Sequence, residues 1–126
     1  MERYLLDTDV MIDVSRGSLK AAAYVDSFDD VSISIITAQE LIVGARGKRD
    51  VAAIESLISV YSIEHIDDAV GLLAYDLLKR YAKSDGLRTF DSLIASTAMA
   101  RHLVLVTRNR RHFAMIEGLQ IEVPLF

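Results

Sequence analysis

The sequence contains no cysteine, which excludes disulfide bonds and metal sites built from thiolate ligands. Its only proline is Pro124, and its six glycines are dispersed, so no segment has the composition of a linker or a repeat. A chain of 126 residues fits one domain. We therefore predict a single domain over residues 1–126.

Long apolar runs and a positive net charge are also absent. No run has the length of a membrane-spanning helix, and the first residues, MERYLLDTD, lack the features of a signal peptide. We therefore expect a cytoplasmic protein with no membrane partner. The formal net charge is −4, whereas proteins that bind nucleic acid through bulk charge are normally basic. Any contact with nucleic acid must then come from local basic patches or bound cations.

Hydrophobic residues are abundant for a chain of this length. They make up 52% of the sequence, and the mean hydropathy is +0.28. This content supports a core and leaves apolar surface for a partner, because large exposed apolar patches usually mark interfaces. We expect a homodimer or another stable partner, with the aromatic side chains in the core or at an interface.

Short apolar segments alternate with segments of helical periodicity along the whole chain. The predicted strands are 4–6, 31–36, 62–66, 103–106 and 119–123. The predicted helices are 8–16, 19–28, 37 to about 44, 50–61, 67–82, 90–101 and a short one over 109–115. This alternation predicts an α/β fold, a small parallel β-sheet flanked by helices on both faces.

Polar side chains follow the predicted strands near the starts of helices. Asp7 follows the first strand, Glu40 lies shortly after the second, and Asn109 comes three residues after LVLV. Asp91 opens the helix after the loop 84–89. Because sites in parallel sheets form at the carboxyl ends of the strands, these four oxygen donors can converge. Crowded carboxylates repel one another, and Mg²⁺ is a hard cation that neutralises them.

Helix capping is the alternative explanation of each residue taken singly. Thr37 and Glu40 form a T-x-x-E capping box, and Asn109 is a favourable N-cap. Asp91 in a first helical turn interacts favourably with the helix dipole, and Asp7 can cap the first helix. Capping does not explain why the acids follow strands that end on one edge of the sheet.

Two further acids lie on the first predicted helix. Asp9 and Asp13 are an i, i+4 pair of like charge, which is mildly unfavourable. We expect Asp13 to pair with Arg16 one turn later. Asp9, two residues after Asp7, is a candidate for holding water at a metal ion.

Four segments together resemble the PIN domain family. They are LLDTDVMID (5–13), ITAQELIVGA (36–45), FDSLIASTA (90–98) and LVTRNRRHF (105–113). More closely, they resemble the toxin half of VapBC-type toxin–antitoxin pairs. The resemblance covers nearly the whole chain, with the segments in the family's order and at its spacing, and it implies a PIN-like fold.

The resemblance assigns roles by position. It implies metal-binding acids at Asp7, Glu40 and Asp91. Asn109 takes the fourth polar position of the site, where many relatives have an aspartate, so this chain has a neutral ligand there. The hydroxyl groups that support the acids in relatives match Thr8 and Thr107. All four site positions are candidate catalytic residues.

The activity that the resemblance implies is RNA cleavage dependent on Mg²⁺ or Mn²⁺. The implied partners are a small antitoxin protein that blocks the site and a second copy of the chain. Arg108, Arg110 and Arg111 surround Asn109 and are candidate RNA-binding residues, since contacts to a nucleic-acid backbone usually come from Arg and Lys. A second basic cluster, 46–49, follows the Glu40 helix. We expect His112 to pack or bond locally.

Two rival functions start from the same residues. An apolar strand followed by D-x-D-x-V also resembles the entry motif of haloacid-dehalogenase-type phosphatases, in which Asp7 is a nucleophile and Asp9 a general acid. RNRRHF stands where that family has a lysine and an acid pair. The other rival is a non-catalytic PIN-like module that binds only a partner, an idea that the missing fourth acid supports.

Overall fold

The computed structural model describes residues 2–126. Its strands are β1 Tyr4–Leu6, β2 Val31–Ser34, β3 Ser62–Glu64, β4 Val104–Val106 and β5 Ile121–Glu122. Its helices are α1 Thr8–Ser15, α2 Leu19–Asp26, α3 Ile35–Val43, α4 Lys48–Ile58, α5 Asp68–Asp85 and α6 Thr89–Ala100. Within the described range, the five strands form one parallel sheet in the order β3-β2-β1-β4-β5. The predicted three-layer α/β fold is confirmed.

The central strand β1 supplies a side chain to each face of the sheet. Leu5 belongs to the apolar cluster that α5 and α6 cover, whereas Leu6 belongs to the cluster that α1, α3 and α4 cover. Both side chains are fully buried. Successive residues of a strand point to opposite faces, so the three-residue run Tyr4–Leu6 serves both layers. Burial of each leucine contributes roughly 1.5–3 kcal/mol to folding.

The boundary between β2 and α3 differs from the prediction. The strand ends at Ser34, and the hydroxyl of Ser34 caps α3 by accepting a hydrogen bond from the N–H of Ile36 at 3.0 Å. The predicted capping box at Thr37 and Glu40 is therefore wrong, since Thr37 lies buried inside the helix. The apolar run VSISII does not show where strand gives way to helix, because both conformations bury its isoleucines.

The predicted helix over 109–115 is also wrong. Only a single 3-10 turn, Arg110–His112, forms there, and Asn109 makes no side-chain capping bond. The next residue, Phe113, is fully buried in the cluster under α5 and α6. Burying Phe113 directs the chain inward after one turn, so a longer helix along the surface does not form.

The remaining helices and strands are present where they were predicted, with no end moved by more than three residues. One of the two largest changes is at α5, which continues to Asp85 instead of ending at 82. Gly86 ends it in the left-handed conformation, with φ 73°, which glycine adopts without steric cost. Among residues 2–126, the helices are too short or too polar to cross a lipid bilayer.

Candidate active site

An open cavity of about 340 Å³ lies at the carboxyl edge of the central strands. Asp7 stands at the end of β1, Glu40 on the helix after β2, Asp91 in the first turn of α6, and Asn109 just after β4. All four line this cavity. Because β2, β1 and β4 are neighbours in the sheet, their carboxyl ends bring together residues that are distant in sequence.

Hydrogen bonds fix Asp7 at the base of the cavity. Its side chain caps α1, with Oδ1 accepting the N–H of Thr8 at 2.8 Å. Oδ2 accepts the hydroxyl of Thr107 at 2.8 Å. The Thr107 oxygen in turn accepts the N–H of Asn109 at 3.0 Å. Thr107 thus connects the carboxylate at the end of β1 to the loop after β4.

Burial, together with the negative charge of Asp9, raises the pKa of Asp7 from 3.8 to about 7. The hydrogen bonds from Thr107 and Thr8 act in the opposite direction without cancelling these effects. Burial also raises the pKa of Asp91, and the charge of Glu40 adds to it. Loss of water around a carboxylate disfavours its charged form, so this site holds acids whose charge its own basic groups do not fully compensate.

Thr8 positions the second acid. Its hydroxyl donates to Oε1 of Glu40 at 2.7 Å and lies 2.9 Å from the hydroxyl of Thr37. Since the Thr8 proton goes to the carboxylate, Thr37 is the donor to Thr8. The chain of hydroxyl groups ties α1 to α3 and fixes Glu40 at the cavity wall. Thr37, predicted as a helix cap, is instead part of this support.

The two other acids of α1 hold the loop after β4. Asp9 Oδ2 accepts the backbone N–H of Arg108 at 2.9 Å, and Oδ1 accepts the N–H of Val10 at 2.8 Å. Asp13 forms an ion pair with the guanidinium group of Arg108. The predicted pairing of Asp13 with Arg16 is wrong, because the neighbouring strands β1 and β4 bring Arg108 closer.

The three arginines around Asn109 have different surroundings. Arg108 is engaged with Asp13, and its guanidinium carbon lies 5.4 Å from the centre of the Phe126 ring. Arg110 and Arg111 are exposed on the 3-10 turn and do not line the cavity. A direct role for any of them in binding RNA stays a prediction.

Two residues at the cavity were not predicted from the sequence. His112 Nδ1 lies 3.8 Å from Asp91 Oδ2, and its charge lowers the pKa of Asp91 against the effect of burial. Arg88, at the start of α6, also lines the cavity. The position of His112 three residues after Asn109 places both on one turn, which was a usable signal. Arg88 belongs to a basic cluster that leads to Asp91 in the sequence, Lys79, Arg80, Lys83 and Arg88, and such clusters near the acids were candidates for binding phosphate.

The donor set fits a hydrated divalent cation. The carboxylates supply hard oxygen ligands, and the raised pKa values of Asp7 and Asp91 reflect charge that a cation would neutralise. Over residues 2–126, no three Asp, Glu, His or Cys side chains lie close enough to enclose an ion by themselves. This spacing suits Mg²⁺, which commonly binds one or two carboxylates and keeps several of its waters.

Comparisons with known proteins agree with this geometry. The family model described as "PIN domain" matches residues 4–119. The chain is 31% identical to ribonuclease VapC19 of Mycobacterium tuberculosis, over 92% of this chain and 96% of that protein. It is 30% identical to the tRNA(fMet)-specific endonuclease VapC of Shigella flexneri, over 97% and 98% of the two chains.

Solved structures show the same similarity. A chain in the crystal structure of DNA-bound VapBC from Salmonella typhimurium superposes with a TM-score of 0.84. It is 28% identical, and the match covers 98% of each chain. A chain in VapBC-1 from nontypeable Haemophilus influenzae gives a TM-score of 0.80 at 28% identity, over 95% of this chain and 96% of that one.

Proposed function

Because the chain belongs to the PIN domain family and is of the VapC type, we propose that it is an endoribonuclease that hydrolyses phosphodiester bonds in RNA. The observation that carries the proposal is the convergence of Asp7, Glu40, Asp91 and Asn109 on one cavity. Relatives that are 30% and 31% identical over nearly their whole length are named as RNA-cleaving enzymes, which supports the same reaction class here.

We assign the metal-binding role to Asp7, Glu40 and Asp91, with Mg²⁺ or Mn²⁺ as the ion. When bound, such an ion lowers the pKa of water and neutralises charge that develops on phosphate. Asn109 presents a neutral amide at the fourth position and therefore adds no negative charge to the site. A neutral fourth group suits an acidic pocket that must also accept an anionic phosphodiester.

The other polar residues of the site position these groups. Thr8 and Thr107 hold the carboxylates of Glu40 and Asp7 through their hydroxyl groups. Asp9 holds the loop that carries Asn109 through the N–H of Arg108. Arg88 and His112 are the cationic or protonatable groups on the cavity wall. We assign them the role of orienting the phosphate oxygens of the substrate.

An antitoxin protein is the proposed regulatory partner. Solved relatives of similar length come from VapBC structures, and the match to one of them covers 98% of this chain. A homodimer is proposed as well. Leu72 and Tyr75 lie one turn apart on α5 and are exposed by 67% and 62%, which supplies apolar surface for a second copy.

The first test of the proposal is cleavage of mixed cellular RNA. We expect cleavage with Mg²⁺ or Mn²⁺, none with EDTA, and a loss on the order of 100-fold or more in Asp91→Asn, since a metal ion supplies several kcal/mol of transition-state stabilisation. The measurement is the rate of fragment formation on denaturing gels. Leu125→Ala is the matched control, because Leu125 is 98% exposed and lies outside the cavity.

The same assay separates the rival functions. Cleavage by Asp91→Asn at the wild-type rate would show that the acids are not the active site. Absence of cleavage together with absence of any stabilisation by metal ions would favour the non-catalytic module. Turnover of small phosphate esters without RNA cleavage would favour the phosphatase, which the PIN match over residues 4–119 does not support.

Thermal stability without metal ions is expected to fall as pH rises from 5 to 7.5. The folded protein holds the Asp7 proton up to a pKa of about 7, whereas the unfolded chain releases it near 3.8. The unfolded state therefore binds fewer protons in this range, and stability decreases with pH. The raised pKa values of Asp9 and Asp91 act in the same direction.

Addition of Mg²⁺ is expected to raise the melting temperature at pH 7.5 by several degrees and to have little effect at pH 5, because only the ionised carboxylates bind the ion. Scanning fluorimetry at matched ionic strength measures both effects. A melting temperature that is independent of pH and of Mg²⁺ would contradict the metal assignment.

A further inference from the structure

A larger cavity, of about 860 Å³, adjoins the candidate active site. It lies between α1, α3 and the start of α4, and we call it the α4 groove. Ile12 and Glu40 line both cavities, so the two lie side by side with Glu40 at the junction. A polymer whose reacting bond lies among the acids can leave the site through this groove.

The α4 groove concentrates positive charge. Its cationic side chains are Arg16, Arg46, Lys48 and Arg49, and its acidic side chains are Glu40 and Asp50. The carboxylate of Asp50 accepts the backbone N–H of Arg46 at 2.9 Å, so one of its oxygens is already committed to the backbone. The groove therefore carries an excess of positive charge in a protein whose net charge is −4.

These cations are not used to neutralise acids of the fold. Among residues 2–126, no carboxylate oxygen lies within 4.0 Å of a cationic nitrogen of any of the four groove residues. In the part of the chain that the structure describes, four of the other seven arginines do have acidic partners, whereas Arg88, Arg110 and Arg111 do not. The pairs are Arg3 with Asp30, Arg80 with Glu117, Arg101 with Glu64 and Asp67, and Arg108 with Asp13.

Stability of α4 does not explain the basic residues either. Lys48 and Arg49 occupy the first turn of the helix, where the positive end of the helix dipole disfavours cations. Both side chains are exposed, so they do not fill the core. Lys48 and Arg49 therefore cost the helix some stability and have no acidic partner. An anionic ligand would account for both residues.

We propose that the α4 groove binds the phosphodiester backbone of the single-stranded RNA segment on one side of the scissile bond. The proposal rests on the proposed RNA cleavage and adds the path of the RNA strand. The strand runs from the acids past Glu40 toward Arg46 and Arg49. The groove wall also contains Ile12 and Leu41, against which unstacked bases can lie. Arg108 contributes little to this binding, because Asp13 already neutralises it.

Binding in EDTA tests the groove separately from cleavage. The probe is a fluorescent pool of random single-stranded RNA 12-mers, and the variant is Arg46→Gln/Arg49→Gln. We expect Kd at 150 mM salt to rise about tenfold and the slope of log Kd against log salt to fall by about 1.4, because each lost single-strand phosphate contact removes about 0.7. Lys20→Gln/Lys79→Gln is the control with the same charge change, since both lysines lie outside the two cavities.

The melting temperature shows that the variants fold. We expect Arg46→Gln/Arg49→Gln to melt at the wild-type temperature or slightly above it, because Arg49 opposes the dipole of α4. In the cleavage assay with saturating metal ion, we expect the KM for RNA to rise about tenfold, as in binding, with kcat unchanged, since neither arginine lines the active-site cavity.

Three results would overturn the proposal. They are an unchanged Kd and salt slope in the groove variant, an equal loss in the lysine control, and no RNA binding by the wild type. An acidic 12-mer peptide that loses binding in the groove variant while RNA does not would assign the groove to a protein ligand. Each of these results can occur while metal-dependent RNA cleavage persists, so the proposed function is judged by its own assay.

Discussion

Replacing Asp7 with asparagine is expected to reduce RNA cleavage by on the order of 1,000-fold, because the variant loses the carboxylate that we propose as a metal ligand at the most buried point of the site. The geometry is expected to survive. The asparagine oxygen can still accept the N–H of Thr8, and its amide can donate to the Thr107 oxygen after the hydroxyl proton turns away. The loss would then come from the missing charge. Single-turnover kinetics with Mg²⁺ measure it.

The same substitution is expected to stabilise the metal-free protein at pH 7.5. Asp7 is only 5% exposed, and its pKa of about 7 shows that the folded protein disfavours its charge. Removing that charge is expected to add about 2 kcal/mol to the free energy of unfolding, or about 6–10 °C in melting temperature. At pH 5 the gain should be smaller, because the folded state holds the proton while the unfolded chain is still ionised, and below pH 3.8, where both states are protonated, it should disappear.

Opposite changes in activity and stability distinguish a functional carboxylate from a structural one. If Asp7 served only to cap α1, its replacement would lower stability slightly and leave cleavage intact, since asparagine is also a good N-cap. A variant that melts lower at pH 7.5 and cleaves RNA normally would reject both the site and the electrostatic argument. Asp26→Asn is the control, because Asp26 is an exposed acid at the end of α2.

Replacing Phe113 with alanine is expected to cause the largest loss of stability, about 3–5 kcal/mol. Phe113 is fully buried among side chains from β1, α5, α6 and β4. Its buried ring also anchors the loop that carries Asn109, four residues earlier in the chain. Alanine removes this packing, although it keeps the backbone hydrogen bond from residue 113 to the carbonyl of Arg110. Urea denaturation followed by circular dichroism gives the free energy of unfolding.

Phe90 provides the matched control for this experiment. It is 55% exposed and lies in the first turn of α6, so Phe90→Ala is expected to cost less than about 1 kcal/mol. Phe113→Leu should fall between the two, because leucine fills most of the space. Equal losses for Phe113→Ala and Phe90→Ala would show that burial of Phe113 does not hold the loop in place.

Phe113 also illustrates what the sequence shows indirectly. The motif TRNRRHF predicted a polar position at Asn109, and an aromatic core or interface residue was expected at Phe113. The predicted helix over 109–115 did not form, because burying Phe113 takes precedence over the weak helical preference of the basic segment before it. The error came from reading local propensity without knowing which residue the core would bury.

The positions of three of the four proposed site residues were predictable from the sequence alone. Each of Asp7, Glu40 and Asn109 follows a recognisable strand, and parallel strands place their carboxyl ends along one edge. The α/β class followed from the same alternation. These inferences use only periodicity and order along the chain, which are local properties of a sequence.

The partners of these residues were decided by the tertiary structure. Asp13 pairs with Arg108, and Thr107 bonds Asp7, across 95 and 100 positions of the sequence, because β1 and β4 are neighbours in the sheet. The same packing brings His112 to Asp91 and gathers Arg16, which follows α1, and the basic residues at the start of α4 into one groove. Which distant side chains meet depends on strand order and helix packing. The sequence therefore determined the chemistry available at the sheet edge, and the tertiary structure determined how its charges are paired, supported and left free.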